Sequence, residues 1–306
     1  MAQLKSATKL RQMLADPNQI VVCPGVHDGL TARMALHVGF DGLYMTGAGT
    51  AASRLGQPDL GLTTVDDMAT NAGMIAGLDR DVPVIADADT GFGGPLMVAR
   101  TTEKYILQGV AAFHIEDQVT TKRCGHLMGK ELVDTATYVA RISAAAHARQ
   151  RMGSDIVIIA RTDALQSLGY DEAVSRLRAA VAAGADVAFL EGMRTKEQMA
   201  QVVKDLAPTP CFLNMVGGGV TPLVNSREAK ELGYKIVIWP MVGMSSVYLG
   251  MREFAEELKN TGEIKERYTK DGKIDAGVRD VFELCGLTKC SNFDQEMGGK
   301  SFSKGA

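Results

Sequence analysis

The amino-acid sequence predicts an α/β fold of the TIM type, a (β/α)8 barrel in which parallel strands alternate with helices. Two observations support this prediction. Eight short apolar segments, rich in Val, Ile, Leu or Ala, are separated by longer stretches with helical spacing, as expected for strands that are buried on both faces. Polar or charged residues recur at the carboxyl end of successive segments, which is where the active site of such a barrel lies.

The predicted strands are, in chain order, residues 20–25, 42–47, 82–89, 111–117, 155–163, 186–192, 210–216 and 234–240. The helical stretches after strands two to six are residues 63–78, 95–109, 134–153, 169–185 and 195–206. Several of them close with glycine, a common helix stop. An open, doubly wound sheet is the alternative fold. Its dinucleotide-binding form carries Gly-x-Gly-x-x-Gly after the first strand, whereas the turn here reads PGVHDGL, which favours the barrel.

The alternation of strands and helices defines the expected organisation of the chain. It predicts one catalytic barrel over residues 1–262 and stops beyond that point. Residues 263–306 are predicted to form extra helices that pack on the barrel or on a neighbouring subunit, with a Gly/Ser/Lys-rich end.

The composition argues against several classes of protein. The formal net charge of −3 provides no basic surface for nucleic acid. The chain lacks a run of about 18 apolar residues that would cross a membrane, and its N-terminal segment lacks the apolar core of a secretory signal. The five cysteines include no Cys-x-x-Cys pair, so a disulfide framework or zinc site is not expected. We expect an intracellular, most simply cytoplasmic, protein.

Carboxylates follow the third and fourth predicted strands. Asp87 and Asp89 are two residues apart and would share one face of an extended chain, and Glu116 ends the next strand. Carboxylates at such short distances repel one another unless a cation lies among them or one carboxyl group is protonated. A hard divalent ion, Mg²⁺ or alternatively Mn²⁺, would satisfy them. In the alternative interpretation, Asp87 caps a loop and Glu116 pairs with an arginine.

Several further polar residues lie at the same end of the predicted barrel. Arg161 suits bidentate binding of a substrate carboxylate, although it could also neutralise Glu116 or Glu191. The sequence TGAG at 46–49 offers unhindered backbone donors for an anion, although a plain tight turn would explain the glycines equally. Glu191 and Asn214 would orient the substrate or support other side chains by hydrogen bonding.

The stretch KRCGH at 122–126 places a thiol in a cationic setting. Lys122, Arg123 and His126 surround Cys124 and would lower the pKa of its thiol. A cysteine on a charged surface loop is the simpler alternative for this stretch taken alone.

Five motifs together resemble those of the isocitrate lyase/phosphoenolpyruvate mutase superfamily. They are PDLGLTT (58–64), DADTGFG (87–93), HIEDQ (114–118), KRCGH (122–126) and RTDA (161–164). The resemblance covers roughly residues 20–260 and implies a Mg²⁺-dependent barrel. It also implies a homo-oligomer, dimer or tetramer, whose subunits exchange their eighth helices. Phosphoenolpyruvate mutases and phosphonopyruvate hydrolases lack the cysteine of KRCGH, so its presence points to the carbon–carbon lyases.

The branch within the lyases is indicated by smaller features. True isocitrate lyases are much longer, and methylisocitrate lyases typically continue the loop as RPNK where this chain has LMGK. The loop is more similar to that of 2,3-dimethylmalate lyases and oxaloacetate acetylhydrolases. The acetylhydrolases are expected to carry a serine that aligns with Pro240, which has no hydroxyl. We expect cleavage of 2,3-dimethylmalate to pyruvate and propionate. Oxaloacetate hydrolysis and methylisocitrate cleavage are the alternatives, and a barrel that only binds dicarboxylates is the non-enzyme alternative.

The resemblance also implies roles for individual residues. Cys124 would protonate the leaving carbon, assisted by His126, and the base remains open between Tyr44, Asp59 and Glu116. Asp87 would bind the metal directly, and Asp89 and Glu116 would hold metal-bound waters. Residues 118–132 would close over the substrate. The predicted contacts to the dicarboxylate substrate are Thr46, Gly47, Ala48, Lys122, Arg123, Gly125, Arg161, Glu191, Asn214 and Pro240.

Overall fold

The computed structural model describes residues 5–125, 127, 129–272 and 274–300. Its centre is a closed barrel of eight parallel strands that pair in sequential order, with β8 returning to β1. The strands are β1 Val21–Val26, β2 Leu43–Met45, β3 Val84–Asp87, β4 Ala112–Glu116, β5 Val157–Thr162, β6 Val187–Leu190, β7 Cys211–Asn214 and β8 Ile236–Trp239. The predicted (β/α)8 barrel is therefore confirmed. Seven strands fall inside the segments predicted for them, and β1 extends one residue beyond its segment.

Helices surround the barrel and extend beyond it. They are α1 Ser6–Ala15, α2 Gly29–Val38, α3 Gly47–Thr50, α4 Val65–Leu78, α5 Pro95–Leu107, α6 Thr135–Arg151, α7 Leu165–Leu168, α8 Tyr170–Ala182, α9 Lys196–Leu206, α10 Ser226–Glu231, α11 Val242–Thr261, α12 Val278–Leu284 and α13 Leu287–Glu296. A turn of π-helix, Ala51–Leu55, continues α3. Among the described residues, no helix is both long and apolar enough to span a membrane.

The starts of the surrounding helices are specified locally. The side chains of Thr64, Asp134 and Thr195 each accept a hydrogen bond from the backbone N–H three residues later. Such a cap satisfies an otherwise unpaired donor and stabilises a helix by about 1 kcal/mol. Each of these caps lies at the end of a strand-to-helix loop, so the capping residue sets where the next helix begins.

The inside of the barrel forms a core of its own. It contains aromatic side chains from β2, β6 and β7, Tyr44, Phe189 and Phe212, which contact one another or the ring of His114. Helix α1 packs its Leu10 into the same cluster, beside residues at the amino ends of the strands. Since α1 covers that end of the barrel, the carboxyl ends of the strands form the accessible mouth.

The end of the chain packs differently from the barrel. Helix α11 follows β8 and runs for 20 residues, yet only Gly243 of these is buried. Its exposed apolar side chains include Val242, Val247, Tyr248, Leu249, Met251, Phe254 and Leu258. Helices α12 and α13 lie within the predicted C-terminal extension, and the boundary at residue 262 stays a prediction.

Candidate active site

Three buried carboxylates lie at the mouth of the barrel. Asp87 and Glu116 are the last residues of β3 and β4, and both are at most 5% exposed. The expectation that Asp89 shares a strand face with Asp87 is wrong, because β3 ends at Asp87. The backbone of Asp89 turns into the left-handed region, with φ of 47°, and its N–H donates to Asp87 Oδ1 at 2.8 Å. The carboxylates are nevertheless neighbours.

Lys122 neutralises part of this acidic group. Its Nζ lies 2.6 Å from Asp89 Oδ1, 2.7 Å from Asp59 Oδ1 and 4.0 Å from Glu116 Oε1. Burial lowers the pKa of Lys122, but these carboxylates, Asp89 first, raise it well above its ordinary value. Lys122 was expected to act on the thiol of Cys124 and on substrate. Its long side chain reaches into the barrel mouth, where the buried negative charge is concentrated, and both expected roles stay predictions.

The carboxylates also have features of a cation site. Among the described residues, no group of three His, Cys, Asp or Glu side chains is arranged to bind one ion directly. However, neither side-chain oxygen of Glu116 accepts a hydrogen bond from the described residues. Burial raises the pKa of Glu116 well above its ordinary value and that of Asp89 to about 6. The oxygen donors suit a hard divalent ion with one direct carboxylate ligand and the others acting through water.

Arg161 occupies the centre of the mouth. Its Nη1 lies 3.2 Å from Glu116 Oε2, and its Nη2 lies 3.7 Å from Glu191 Oε2. Both Nε and Nη2 donate to Asp163, at 3.1 and 3.2 Å. The contacts with Glu116 and Glu191 are the neutralising contacts expected in the alternative role of Arg161. Asn214 supports this group, since its Nδ2 donates to Glu191 Oε2 at 2.9 Å.

The segment after β2 begins a short helix, α3, and is not a plain turn. Thr46 caps α3 by accepting from the Gly49 N–H, and the Gly47 N–H donates to Asp87 Oδ2 at 3.2 Å. A Cβ at Gly47 would lie 2.4 Å from the same Asp87 oxygen, so only glycine permits this approach. Ala48 is the next residue of α3. The predicted anion-binding donors thus lie beside the acidic group, and one of them, the Gly47 N–H, is already hydrogen-bonded to Asp87.

Tyr44 lies beneath Asp87 inside the barrel. Its hydroxyl is 2.9 Å from His114 Nε2 and 3.5 Å from Asp87 Oδ2. Burial, followed by the charge of Asp87, raises the pKa of Tyr44 well above its ordinary value. Burial also lowers the pKa of His114 to about 4. Both groups are therefore neutral near pH 7, and the phenol is poised as a hydrogen-bond donor.

The loop after β4 brings Cys124 to the mouth. The backbone N–H of Cys124 donates to the Asp59 carbonyl at 3.2 Å, and the residue is partly buried. A Cβ at Gly125 would lie 2.2 Å from Arg161 Nη2, so the loop touches the arginine directly. Arg123 belongs to the same loop. The predicted catalytic residue His126 lies outside the described residues.

Pro240 directly follows β8. A Cβ at Gly25, in β1, would lie 2.1 Å from the Pro240 carbonyl oxygen, so the two backbones are in close contact. The nearest serines are inside α11, where the Ser246 hydroxyl donates to the Val242 carbonyl at 2.8 Å. Pro240 therefore lies immediately after the strand end, next to β1, and the expectation that it replaces a serine of the acetylhydrolases stays a prediction.

Four polar residues of the mouth were not assigned a role from the sequence. Gln118, Lys130 and Asp163 contact one another or the Cys124 loop, and Asp117 holds the backbone of Asp163. The motifs HIEDQ and RTDA contain three of them. The available signal was a carboxylate or amide within two residues of a strand end, which indicates proximity to the site but does not identify the partner.

Comparisons with known proteins agree with this arrangement. Residues 10–259 match the phosphoenolpyruvate phosphomutase family. A 2,3-dimethylmalate lyase from Eubacterium barkeri is 42% identical over 84% of this chain and 87% of its own. A 2-methylisocitrate lyase from Aeropyrum pernix is 38% identical over 84% of this chain and 81% of its own. The chain belongs to the phosphoenolpyruvate mutase/isocitrate lyase superfamily.

Two solved structures narrow the comparison within the superfamily. A crystal structure of 2,3-dimethylmalate lyase superimposes with a TM-score of 0.94 and 55% identity, covering 99% of each chain. Oxaloacetate acetylhydrolase in complex with 3,3-difluorooxalacetate superimposes with a TM-score of 0.93 and 51% identity, covering 97% of this chain and 99% of its own. These relatives support the assignment of the chain as a carbon–carbon lyase.

Proposed function

We propose that this lyase cleaves 2,3-dimethylmalate to pyruvate and propionate. The observation that carries the choice of substrate is Pro240, which stands at the end of β8 without a hydroxyl. Whole-length similarity to a 2,3-dimethylmalate lyase supports it. Oxaloacetate hydrolysis is the second candidate, because the acetylhydrolase structure is nearly as similar.

The carboxylates at the mouth fit a bound divalent cation, which we propose to be Mg²⁺, with Mn²⁺ as an alternative. Asp87 would hold it directly, and Asp89 and Glu116 would act through water. The bound ion would supply a Lewis acid that lowers the pKa of a substrate hydroxyl. Glu116 supports this proposal, because its side chain is fully buried and neither of its oxygens accepts a hydrogen bond from the described residues, although Oε2 lies 3.2 Å from Arg161; buried acceptors without a hydrogen bond are rare.

The remaining chemistry belongs to the side chains of the mouth. Loss of the hydroxyl proton lets the alkoxide collapse to the keto group of pyruvate and breaks the C2–C3 bond. The electrons of that bond pass to the propionate fragment, and the Cys124 thiol donates a proton to its carbon. Arg161 would hold a substrate carboxylate, with Thr46, Gly47 and Ala48 beside it. Closure of the Cys124 loop would exclude water that could intercept the carbanion.

The base stays open between Tyr44, Asp59 and Glu116. The raised pKa of Tyr44 favours its phenol as a hydrogen-bond donor rather than as a base. Asp59 is paired with Lys122 at 2.7 Å, and Glu116 with Arg161 at 3.2 Å. Both carboxylates would have to release part of these contacts to accept the hydroxyl proton.

We also propose that the protein is a homo-oligomer, a dimer or tetramer, that exchanges its eighth helices. Helix α11 follows β8 and leaves seven large apolar side chains exposed, from Val242 to Leu258. Several large exposed apolar side chains on one helix are a mark of a surface that a partner covers. Packing of α11 on a second copy of the chain would cover it.

A product assay tests the substrate. Purified protein with Mg²⁺ is given 2,3-dimethylmalate, 2-methylisocitrate and oxaloacetate in separate reactions, and pyruvate and oxalate are measured. We expect pyruvate from dimethylmalate at the highest kcat/KM. Oxalate from oxaloacetate as the dominant product would replace the proposal with the acetylhydrolase. Calorimetry with oxalate is run with and without Mg²⁺, and absence of Mg²⁺-dependent binding would favour the non-enzyme alternative.

A further inference from the structure

Two side chains hold the Cys124 loop on either side of the cysteine. Before it, Gln118 Nε2 donates to the Arg123 carbonyl at 3.0 Å, and the Arg123 N–H donates to Gln118 Oε1 at 3.0 Å. After it, the Lys130 ammonium donates to the Gly125 carbonyl at 2.6 Å. The backbone at residues 123 and 125 is therefore fixed by hydrogen bonds from outside the turn itself.

Both of these side chains also donate a hydrogen bond to the carboxylate of Asp163. Lys130 Nζ lies 2.8 Å from Asp163 Oδ1, and Gln118 Nε2 lies 3.3 Å from Asp163 Oδ2. The same two oxygens accept hydrogen bonds from Arg161 at 3.2 and 3.1 Å. Asp163 is 1% exposed. Hydrogen bonds to a charged group that is shielded from water are the strong ones, so this carboxylate joins the loop to Arg161.

Asp163 is itself held in place. Its backbone N–H donates to Asp117 Oδ1 at 2.9 Å, and Asp117 Oδ2 accepts from Arg176 at 3.2 Å. Burial opposes the ionisation of Asp163, but Arg161 and Lys130 hold its pKa well below the ordinary value. The acceptor is therefore charged at neutral pH and fixed in position.

We propose that Gln118, Lys130 and Asp163 form a clamp that sets the position of Cys124 relative to a carboxylate bound by Arg161. The three are positioning residues, because they act through the backbone of the Cys124 loop and through Arg161. The inference rests on the proposed function, in which Cys124 donates a proton and Arg161 binds substrate.

The backbone of the Cys124 loop is closely packed against the clamp and Arg161. A Cβ at Gly125 would lie 2.2 Å from Arg161 Nη2 and 3.2 Å from Asp163 Oδ1, so the backbone there is already in contact with both. Misplacement of a catalytic group by about 1 Å can cost about 100-fold in rate. Release of one side of the clamp should therefore lower kcat more than it alters substrate binding.

The first experiment compares Lys130→Met and Gln118→Ala with the wild-type enzyme. Each variant releases one side of the clamp and keeps Arg161 and Cys124. We expect kcat for the preferred substrate to fall about 10- to 100-fold, while KM changes by less than about threefold. Melting temperatures identify a variant that is merely unfolded. Lys104→Met is the control, because it removes an ion pair to Asp66 between α4 and α5, away from the loop, and should leave kcat unchanged.

The second experiment tests the clamp without relying on turnover. Cys285 and Cys290, which are exposed, are replaced by serine, and alkylation of Cys124 by iodoacetamide is followed by peptide mass spectrometry. We expect Lys130→Met and Gln118→Ala to increase the alkylation rate about tenfold, because the loop opens more often. An inactive wild-type enzyme would refute the proposed function and leave this measurement intact. Unchanged alkylation rates in both variants would overturn the clamp.

Discussion

Two regions of the molecule differ in which side chains they bury. One is the barrel mouth between β3 and β5, and the other is helix α11. The mouth buries many charges, and the major ones are paired within the same chain: Lys122 with Asp89, and Arg161 with Asp163. Helix α11 exposes apolar side chains over 20 residues. The chemistry of the site is thus assembled by contacts within one chain, whereas the apolar side chains of α11 are left exposed by it, and the proposed second subunit would cover them.

The largest expected effect is the loss of the proposed acid. Cys124→Ser replaces the thiol by a far weaker acid of similar size, so cleavage should fall by about 10³-fold or more. Circular dichroism and Mg²⁺-dependent oxalate binding should be nearly unchanged. Cys285→Ser, on the exposed C-terminal segment, is the matched control and should retain full activity. Near-normal turnover of Cys124→Ser would show that another group protonates the carbon.

Removal of the proposed metal ligand should have a slightly smaller effect. Asp87→Ala should lower activity about 10³-fold and abolish Mg²⁺-dependent binding of oxalate, measured by calorimetry. Asp66→Ala changes an exposed carboxylate on α4 and should alter neither quantity. Retention of normal Mg²⁺ affinity by Asp87→Ala would show that the ion, if bound, has another ligand. The result tests whether the acidic side of the mouth is a cation site.

The charge pairing of the mouth should also be visible in stability. Asp163→Asn should lower the free energy of unfolding by about 3 kcal/mol at pH 7, because Arg161 and Lys130 lose a buried partner. Arg161 and Lys130 depress the pKa of Asp163 in the folded chain against the effect of burial. Its contribution is therefore complete above the unfolded pKa of about 4 and is lost as pH falls toward the folded value.

Urea unfolding of the wild type and Asp163→Asn from pH 7 to pH 3 measures this dependence. The difference between the two proteins should shrink as the pH falls below about 4. Asp171→Asn, an exposed change on α8, should leave the unfolding curve nearly unchanged at each pH. A difference that stays constant with pH would mean that the charge of Asp163 is not what stabilises the mouth.

The smallest effect on chemistry is expected from α11. Leu249→Glu places a charge among its exposed apolar side chains and should raise the dissociation constant between subunits at least about tenfold, measured by sedimentation. Lys259→Glu alters an exposed charged position on the same helix and should not change assembly. A wild-type protein that sediments as a monomer at micromolar concentration would remove the proposed role of α11 and leave the description of the mouth intact.

The barrel could be predicted from the sequence because each strand is a short apolar run, and several of these runs end in, or are followed directly by, a polar residue. Asp87 and Glu116 were located for this reason. The position of the Lys122 ammonium could not be predicted, because a long side chain can reach in several directions and its direction depends on where Asp59 and Asp89 lie in the fold. The left-handed backbone of Asp89 is equally a product of the loop after β3.

The role of Asp163 was missed for a related reason. A carboxylate two residues after Arg161 is visible in RTDA, but its partners Gln118 and Lys130 come from a different loop, 45 and 33 residues away. Contacts of that kind depend on the closed barrel, which brings β4 beside β5. Sequence pattern therefore locates the site, and the tertiary structure determines how its members are connected.

The sharing of Asp163 between Arg161 and the Cys124 loop has a thermodynamic consequence. If a bound carboxylate weakens or strengthens the ion pair between Arg161 and Asp163, the ion pair between Asp163 and Lys130 changes as well. Linkage then requires reciprocity: substrate must favour the closed loop by the same factor by which the closed loop favours substrate. Affinity for a dicarboxylate and closure of the loop, which protects the carbanion from water, would then depend on the same coupling free energy.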